Sequence, residues 1–142
     1  MDGANIEIVA NAGKENAVIF GLNNDEVEEL NRNGTYNPWD IYNCDYRIKN
    51  VLDSLFHGEW CHYKQDKFAL IFDEIMNHRD QYYILKDFDS YVEAQEKVEE
   101  LYQDKYLWAK MALMNIANSG FFTSDRTIEQ YATEIWGLTR AK

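Results

Sequence analysis

Apolar residues along this chain recur mainly at the spacing of a helical face. Ile48, Val51, Leu52, Leu55 and Phe56 fall at i, i+3, i+4, i+7 and i+8, and Phe68, Ile71, Phe72, Ile75 and Met76 repeat the pattern. Tyr91, Ala94, Val98, Leu101 and Tyr102 form a third stripe; Trp108, Met111, Ala112 and Ile116 form a fourth. A fifth runs through Ile128, Tyr131, Ala132, Ile135 and Trp136. Each stripe predicts a helix that buries one side.

The ends of these helices are written in the polar residues. A first helix over 4–12 stops at Gly13; the next is capped by Asn23 or Asn24, with Asp25 and Glu26 in its positive first turn and Gly34 as a left-handed stop. Asn37-Pro38 opens the following helix, because proline at the first helical position loses only a donor that would be orphaned anyway; its periodic continuation closes at Gly58. Ser90 with Glu93 reads as a capping box, Asp104 as the cap of a helix ending at Gly120, and Ser124 or Asp125 as the start of the last one.

Two segments break the helical period. Asn16-Ala17-Val18-Ile19-Phe20, closed by Gly21, is an apolar run short enough for a buried strand, and Gln81 to Lys86 carries Tyr82, Tyr83, Ile84 and Leu85, which suit a pleated surface. The resulting class is α/β and helix-dominated, with about seven helices and two short strands. Two such strands, roughly sixty residues apart, do not make an independent sheet and read as edge members of a larger parallel one.

At 142 residues the chain suits one domain, and no repeat, low-complexity segment or proline-rich linker divides it. The 14 Lys+Arg against 25 Asp+Glu give a formal net charge of −11. That charge repels nucleic-acid phosphates and anionic membranes alike, so neither is an expected partner. No run approaches the ~18 apolar residues of a membrane span, and residues 1–5 lack a signal peptide's basic and apolar regions, so the chain is expected to be cytoplasmic. Its 2 cysteines, Cys44 and Cys61, suit a reducing compartment, with a single bridge between them as the alternative.

Candidate chemistry is sparse. His57, Cys61 and His62 include zinc-type donors, but Gly58 interrupts the helix that would align them and Cys44 is far upstream, which favours ordinary loop and core roles. Acidic surroundings disfavour a reactive thiolate at either cysteine. Glu93, Glu96, Glu99 and Glu100 lie opposite an apolar stripe, as a solvated face does, and Gly3, Gly13 and Gly21 are too far apart for a phosphate cradle. Aromatics at 15% raise sugar stacking at Trp39, Trp60 or exposed tyrosines, although most sit on inward stripes and suit core packing.

Specific motifs occur at both ends. Met1-Asp2-Gly3-Ala4-Asn5-Ile6-Glu7-Ile8 followed by Asn16-Ala17-Val18-Ile19-Phe20-Gly21, then Phe88-Asp89-Ser90-Tyr91-Val92-Glu93-Ala94-Gln95, and finally Asn115 to Ile128 (NIANSGFFTSDRTI) with Tyr131, Ile135, Trp136 and Gly137, resemble the C-terminal region of the glycogen/starch (α-glucan) phosphorylases. The likeness covers essentially the whole chain and is weakest between about residues 35 and 80. It implies that residues 1–142 are a single partial domain, the C-terminal portion of a Rossmann-like (GT-B type) glycosyltransferase domain that holds the cofactor.

The implied parent cleaves α-1,4-glucan with inorganic phosphate to release glucose 1-phosphate, and uses the phosphate of pyridoxal phosphate in acid/base chemistry. In that family the cofactor aldehyde is held by a lysine in a Gly-Thr-Gly-Asn-Met-Lys type motif shortly before the Met-Asp-Gly-Ala-Asn segment. The motif does not occur in this sequence, which begins at that segment. No catalytic, cofactor-binding or metal-binding residue is therefore carried onto a position here. The resemblance gives Asp2, Gly3, Ala4 and Asn5 a place beside the site, where the residues alone suit a capped helix start, and makes the 124–136 helix an interdomain surface.

The leading expectation is a fragment of an α-glucan phosphorylase, catalytically silent alone, with no cofactor bound and apolar faces that drive homo-oligomerisation. The alternative is a stand-alone helical interaction or regulatory module derived from the phosphorylase tail. Glucan binding through surface aromatics is a third possibility.

Overall fold

The computed structural model describes residues 3–57, 66–77 and 80–139. In chain order its α-helices are α1 (Gly3–Ala12), α2 (Asn24–Asn33), α3 (Pro38–Cys44), α4 (Tyr46–Ser54), α5 (Ala69–Met76), α6 (Phe88–Gln103), α7 (Lys105–Asn118) and α8 (Ser124–Gln130). Short 3-10 turns occupy Lys14–Asn16 and Ser119–Phe122, and a π-type turn, Tyr131–Ile135, follows α8. The chain divides into two compact units, Phe20–Glu93 and Met1–Ile19 with Ala94–Lys142.

Most helix ends follow the predicted chemistry. Asn23 Oδ1 accepts the Glu26 N–H at 3.0 Å while Glu26 Oε2 accepts the Asn23 N–H at 2.8 Å, a reciprocal capping box at α2. Gly34 ends that helix in the left-handed region, φ +61°, donating to the Leu30 carbonyl. Asn37 caps α3 ahead of Pro38, and Asp104 caps α7 by accepting the Leu107 N–H at 2.9 Å.

The helix expected from Pro38 into the fifties is divided at Asp45. That residue is extended (φ −109°, ψ 108°); its N–H closes α3 on the Ile41 carbonyl and its carboxylate accepts the Arg47 N–H at 2.8 Å, opening α4. A short carboxylate competing for nearby backbone donors creates a boundary that apolar periodicity does not register. The expected stop at Gly58 lies outside the described residues.

The capping box expected at Ser90 is not formed. Helix α6 begins earlier, at Phe88, and Ser90 sits in its first turn, accepting the Gly21 N–H at 3.0 Å and donating to the Asp87 carbonyl. Asp87 Oδ1 accepts the Leu22 N–H at 2.8 Å. Gly21 is required here: its φ is +86°, and a Cβ would come within 2.6 Å of the Asp87 carboxylate.

Neither expected strand is present among the described residues. Residues 14–16 form a 3-10 turn and Ala17 is extended without a ladder partner, since a strand needs a neighbour to bond with. Gln81 to Lys86 folds as consecutive turns, with Asp80 and Tyr83 at positive φ (45° and 57°). Tyr83 N–H bonds the Asp80 carbonyl, and Leu85 N–H bonds the Asp80 carboxylate at 2.8 Å. That curl removes the pleat and turns Leu85 inward.

In the Phe20–Glu93 unit, Ile48, Leu52, Met76 and Leu85 form the buried core, flanked by Ile41, Tyr42, Leu55, Phe72, Ile75 and Phe88. Val51, predicted on the same face as Leu52, is exposed. In the other unit the buried apolar residues are Val9, Ala12, Ala94 and Met111, and Asn115 Nδ2 ties α7 to the Asn16 carbonyl at 2.8 Å. Leu52→Ala is expected to cost about 2–5 kcal/mol through lost burial and an unfilled cavity, and Val51→Ala less than about 0.5 kcal/mol. Urea unfolding of the two variants checks this.

Candidate functional site

The polar chemistry of the Phe20–Glu93 unit gathers at two places on α3 and α4. The first is a cleft of about 450 Å³ whose lining includes Cys44, Asp45, Arg47, Leu85, Lys86 and Asp89. Arg47 Nη2 lies 2.5 Å from both Asp45 Oδ2 and Asp89 Oδ1, and its guanidinium carbon sits 5.1 Å from the Phe88 ring centre. This bridging fixes the geometry of the cleft and consumes its charge. Two cations face two carboxylates there, so the cleft offers no net attraction to a phosphate.

The hydrogen bond from Arg47 holds the Asp45 carboxyl down at about 2, and its partners Asp45 and Asp89 push the arginine further up. Neither group changes protonation near neutral pH, which matches them poorly to general acid or base work there. Cys44, in the last turn of α3, is exposed and free.

The second place joins α3 to α4. Tyr42 Oη donates to Asp53 Oδ1 at 2.5 Å, Lys49 Nζ donates to Tyr42 Oη at 2.7 Å, and Lys49 pairs with Asp53 Oδ2 at 3.2 Å. Tyr42's hydrogen bond, then Lys49's, lowers the Asp53 carboxyl. Trp39 packs on Tyr42 at 5.4 Å between ring centres and on Phe72 at 6.1 Å, both near-perpendicular, and remains 39% exposed.

Beneath these lies a contact the sequence did not signal. Asp80 is 2% exposed, and its Oδ2 accepts both the Tyr36 hydroxyl at 2.7 Å and the Leu85 N–H. Burial first, then this hydrogen bond, pushes the Tyr36 phenol well above its ordinary range, so it stays a donor. A pairing across 44 positions leaves no periodic mark.

The remaining candidates scatter. His57 is exposed, Cys61 and His62 lie outside the described residues, and no metal-holding group of three His, Cys, Asp or Glu occurs among the described residues. Trp60 is likewise outside them. Glu93, Glu96, Glu99 and Glu100 are exposed as expected, with Lys97 paired to Glu100 at 3.2 Å. Gly3, Ala4 and Asn5 are exposed in the first turn of α1; Asp2 lies outside the described residues.

The last predicted stripe does not turn inward. Ile128, Tyr131, Ile135 and Trp136 are exposed, Ile128 at 60% and Trp136 at 59%. Beside them is a cavity of about 550 Å³ whose lining includes Ile128, Ala132 and Leu138. Among the described helices none is long and apolar enough to cross a membrane.

The family model for carbohydrate phosphorylases matches residues 1–138, and the chain belongs to that family. Among individual relatives, the glycogen phosphorylase of Bacillus subtilis is 44% identical over 137 residues, 96% of this chain and 17% of that protein. The muscle form of glycogen phosphorylase from Rattus norvegicus and the glycogen phosphorylase of Synechocystis are each 41% identical over 138 residues, 97% of this chain and 16% of theirs. The chain thus spans about a sixth of the length of these relatives.

With the Asp45 carboxyl at about 2 rather than 3.8, the stability it contributes is present above pH 3.8 and is lost as the pH falls toward 2. Asp45→Asn keeps a good helix cap and removes the charge. Thermal melts should separate wild type from this variant above pH 4 and converge as the pH approaches 2.

Proposed function

We propose that this chain is the C-terminal portion of the catalytic domain of an α-glucan phosphorylase, a cytoplasmic glycosyltransferase. The parent would use inorganic phosphate to cleave α-1,4-glucan to glucose 1-phosphate, in a Rossmann-like domain of GT-B type. The observation that carries this reading is the match to carbohydrate phosphorylases along residues 1–138, with 44% identity to a glycogen phosphorylase.

Pyridoxal phosphate is the cofactor proposed for the parent. A lysine that holds its aldehyde needs an enclosed site in which the amine is neutral. Every described lysine of this chain is exposed, and Lys49 and Lys97 are paired with carboxylates. These residues do not fit the cofactor, and no step through it is assigned to them.

The paired charges of the two α3–α4 sites support the same division of labour. Asp45, Asp53 and Arg47 are held ionised, a state that suits scaffolding rather than proton transfer. The exposed stripe of α8 and its π-turn suits a surface that another part of the parent covers, and a docking module would use it in the same way.

Two measurements test this. Purified chain with maltodextrin, phosphate and pyridoxal phosphate should form no glucose 1-phosphate, while a polypeptide extended upstream through an in-frame lysine motif should; turnover by the 142-residue chain overturns the fragment reading. Light scattering should find the isolated chain as a homodimer or larger, because apolar residues such as Ile116, Ile128, Ile135 and Trp136 are uncovered. A monodisperse monomer overturns that expectation.

A further inference from the structure

We propose that Trp39 and Tyr42 of α3, with Lys49 and Asp53 of α4, form a binding site for a neutral α-linked glucan. The inference rests on the glucan reading above and adds a place on this chain where such a polymer is held.

The argument starts from the ring. Trp39 is 39% exposed, yet it is pinned by near-perpendicular contacts to Tyr42 and Phe72. An indole fixed in place before a ligand arrives loses little freedom on binding. The C–H face of a pyranose is apolar and its rim carries hydroxyls, so a complementary surface needs an aromatic platform with donors and acceptors beside it.

Tyr42 supplies that connection. The ring that packs on Trp39 also lies under Lys49, whose Nζ is 4.2 Å from its centre, and its hydroxyl binds Asp53. Among the described residues the Lys49 ammonium makes two of its three possible donations, to Tyr42 Oη and Asp53 Oδ2, and the Asp53 carboxylate keeps spare lone pairs. Their side chains are 46% and 42% exposed, open to a ligand. A donor and an acceptor held 3.2 Å apart match neighbouring hydroxyls of one sugar, and their charges cancel. The pair therefore favours a neutral polyol over a phosphate or a cation.

The test uses the 142-residue chain as it stands, titrated with maltoheptaose and followed by tryptophan fluorescence and calorimetry. Saturable binding is expected, weakened about tenfold or more by Trp39→Ala, the loss of one aromatic anchor, and several-fold by Lys49→Met, which leaves the Trp39 contacts in place. Tyr106→Ala, at an exposed ring on α7, should bind as wild type does. Circular dichroism establishes that each variant is folded. The site is overturned if folded wild type shows no saturable binding, if Trp39→Ala and Lys49→Met both bind as wild type does, or if inorganic phosphate or cellohexaose binds equally well. Phosphorolysis by the upstream-extended polypeptide tests the parent activity separately: it can succeed while this site fails, or fail while this site binds.

Discussion

The Phe20–Glu93 unit is organised by one buried carboxylate. Asp80 accepts the Tyr36 hydroxyl and the Leu85 N–H through a single oxygen, with its own backbone at positive φ. Its other oxygen, Oδ1, is buried without a hydrogen-bond partner among the described residues. A buried acceptor is costly unless donors reach it, so the two donors that do reach it are held firmly in place. Through them Asp80 ties the loop before α3 to the turn before α6. The same curl sends Leu85 into the core beside Ile48, Leu52 and Met76, and lets Tyr83 reach Asn31 of α2.

The other unit is built on a narrower base. Val9, Ala12, Ala94 and Met111 are its buried apolar residues, while Ile6, Ile116, Ile128, Ile135 and Trp136 face outward. Small cores leave little stability after chain entropy is paid, and uncovered apolar side chains favour association. The relatives are about six times longer than this chain.

Charge is spent on architecture throughout. The net charge is −11, and the geometry gives several of its carboxylates local work: Asp45 divides two helices and holds Arg47, Asp53 anchors Tyr42 and Lys49, and Asp87 fastens Leu22 beside α6. Glu93, Glu96, Glu99 and Glu100 remain on a solvated face. An acidic surface of this kind keeps a protein soluble without specifying what it binds.

The helices and most of their caps were legible in the residues, because a cap and an apolar stripe are local: Asn23 with Glu26, Asn37 before Pro38, Gly34 and Asp104 each act within four positions of the end they define. The end motifs were equally legible and identified the family. The strands, the division at Asp45 and the true start of α6 were not, since each depends on a competing partner. Residues 81–86 have strand composition, but Asp80 curls them; Ser90 has a cap's identity, but Gly21 takes its hydroxyl from 69 positions away. Arg47 with Asp89 and Tyr36 with Asp80 are likewise contacts across more than forty residues. By itself the sequence determined most of the helices, their local caps and the family. Only the tertiary structure decided which polar groups meet and which apolar stripes stay uncovered, because both depend on surfaces brought together from distant parts of the chain.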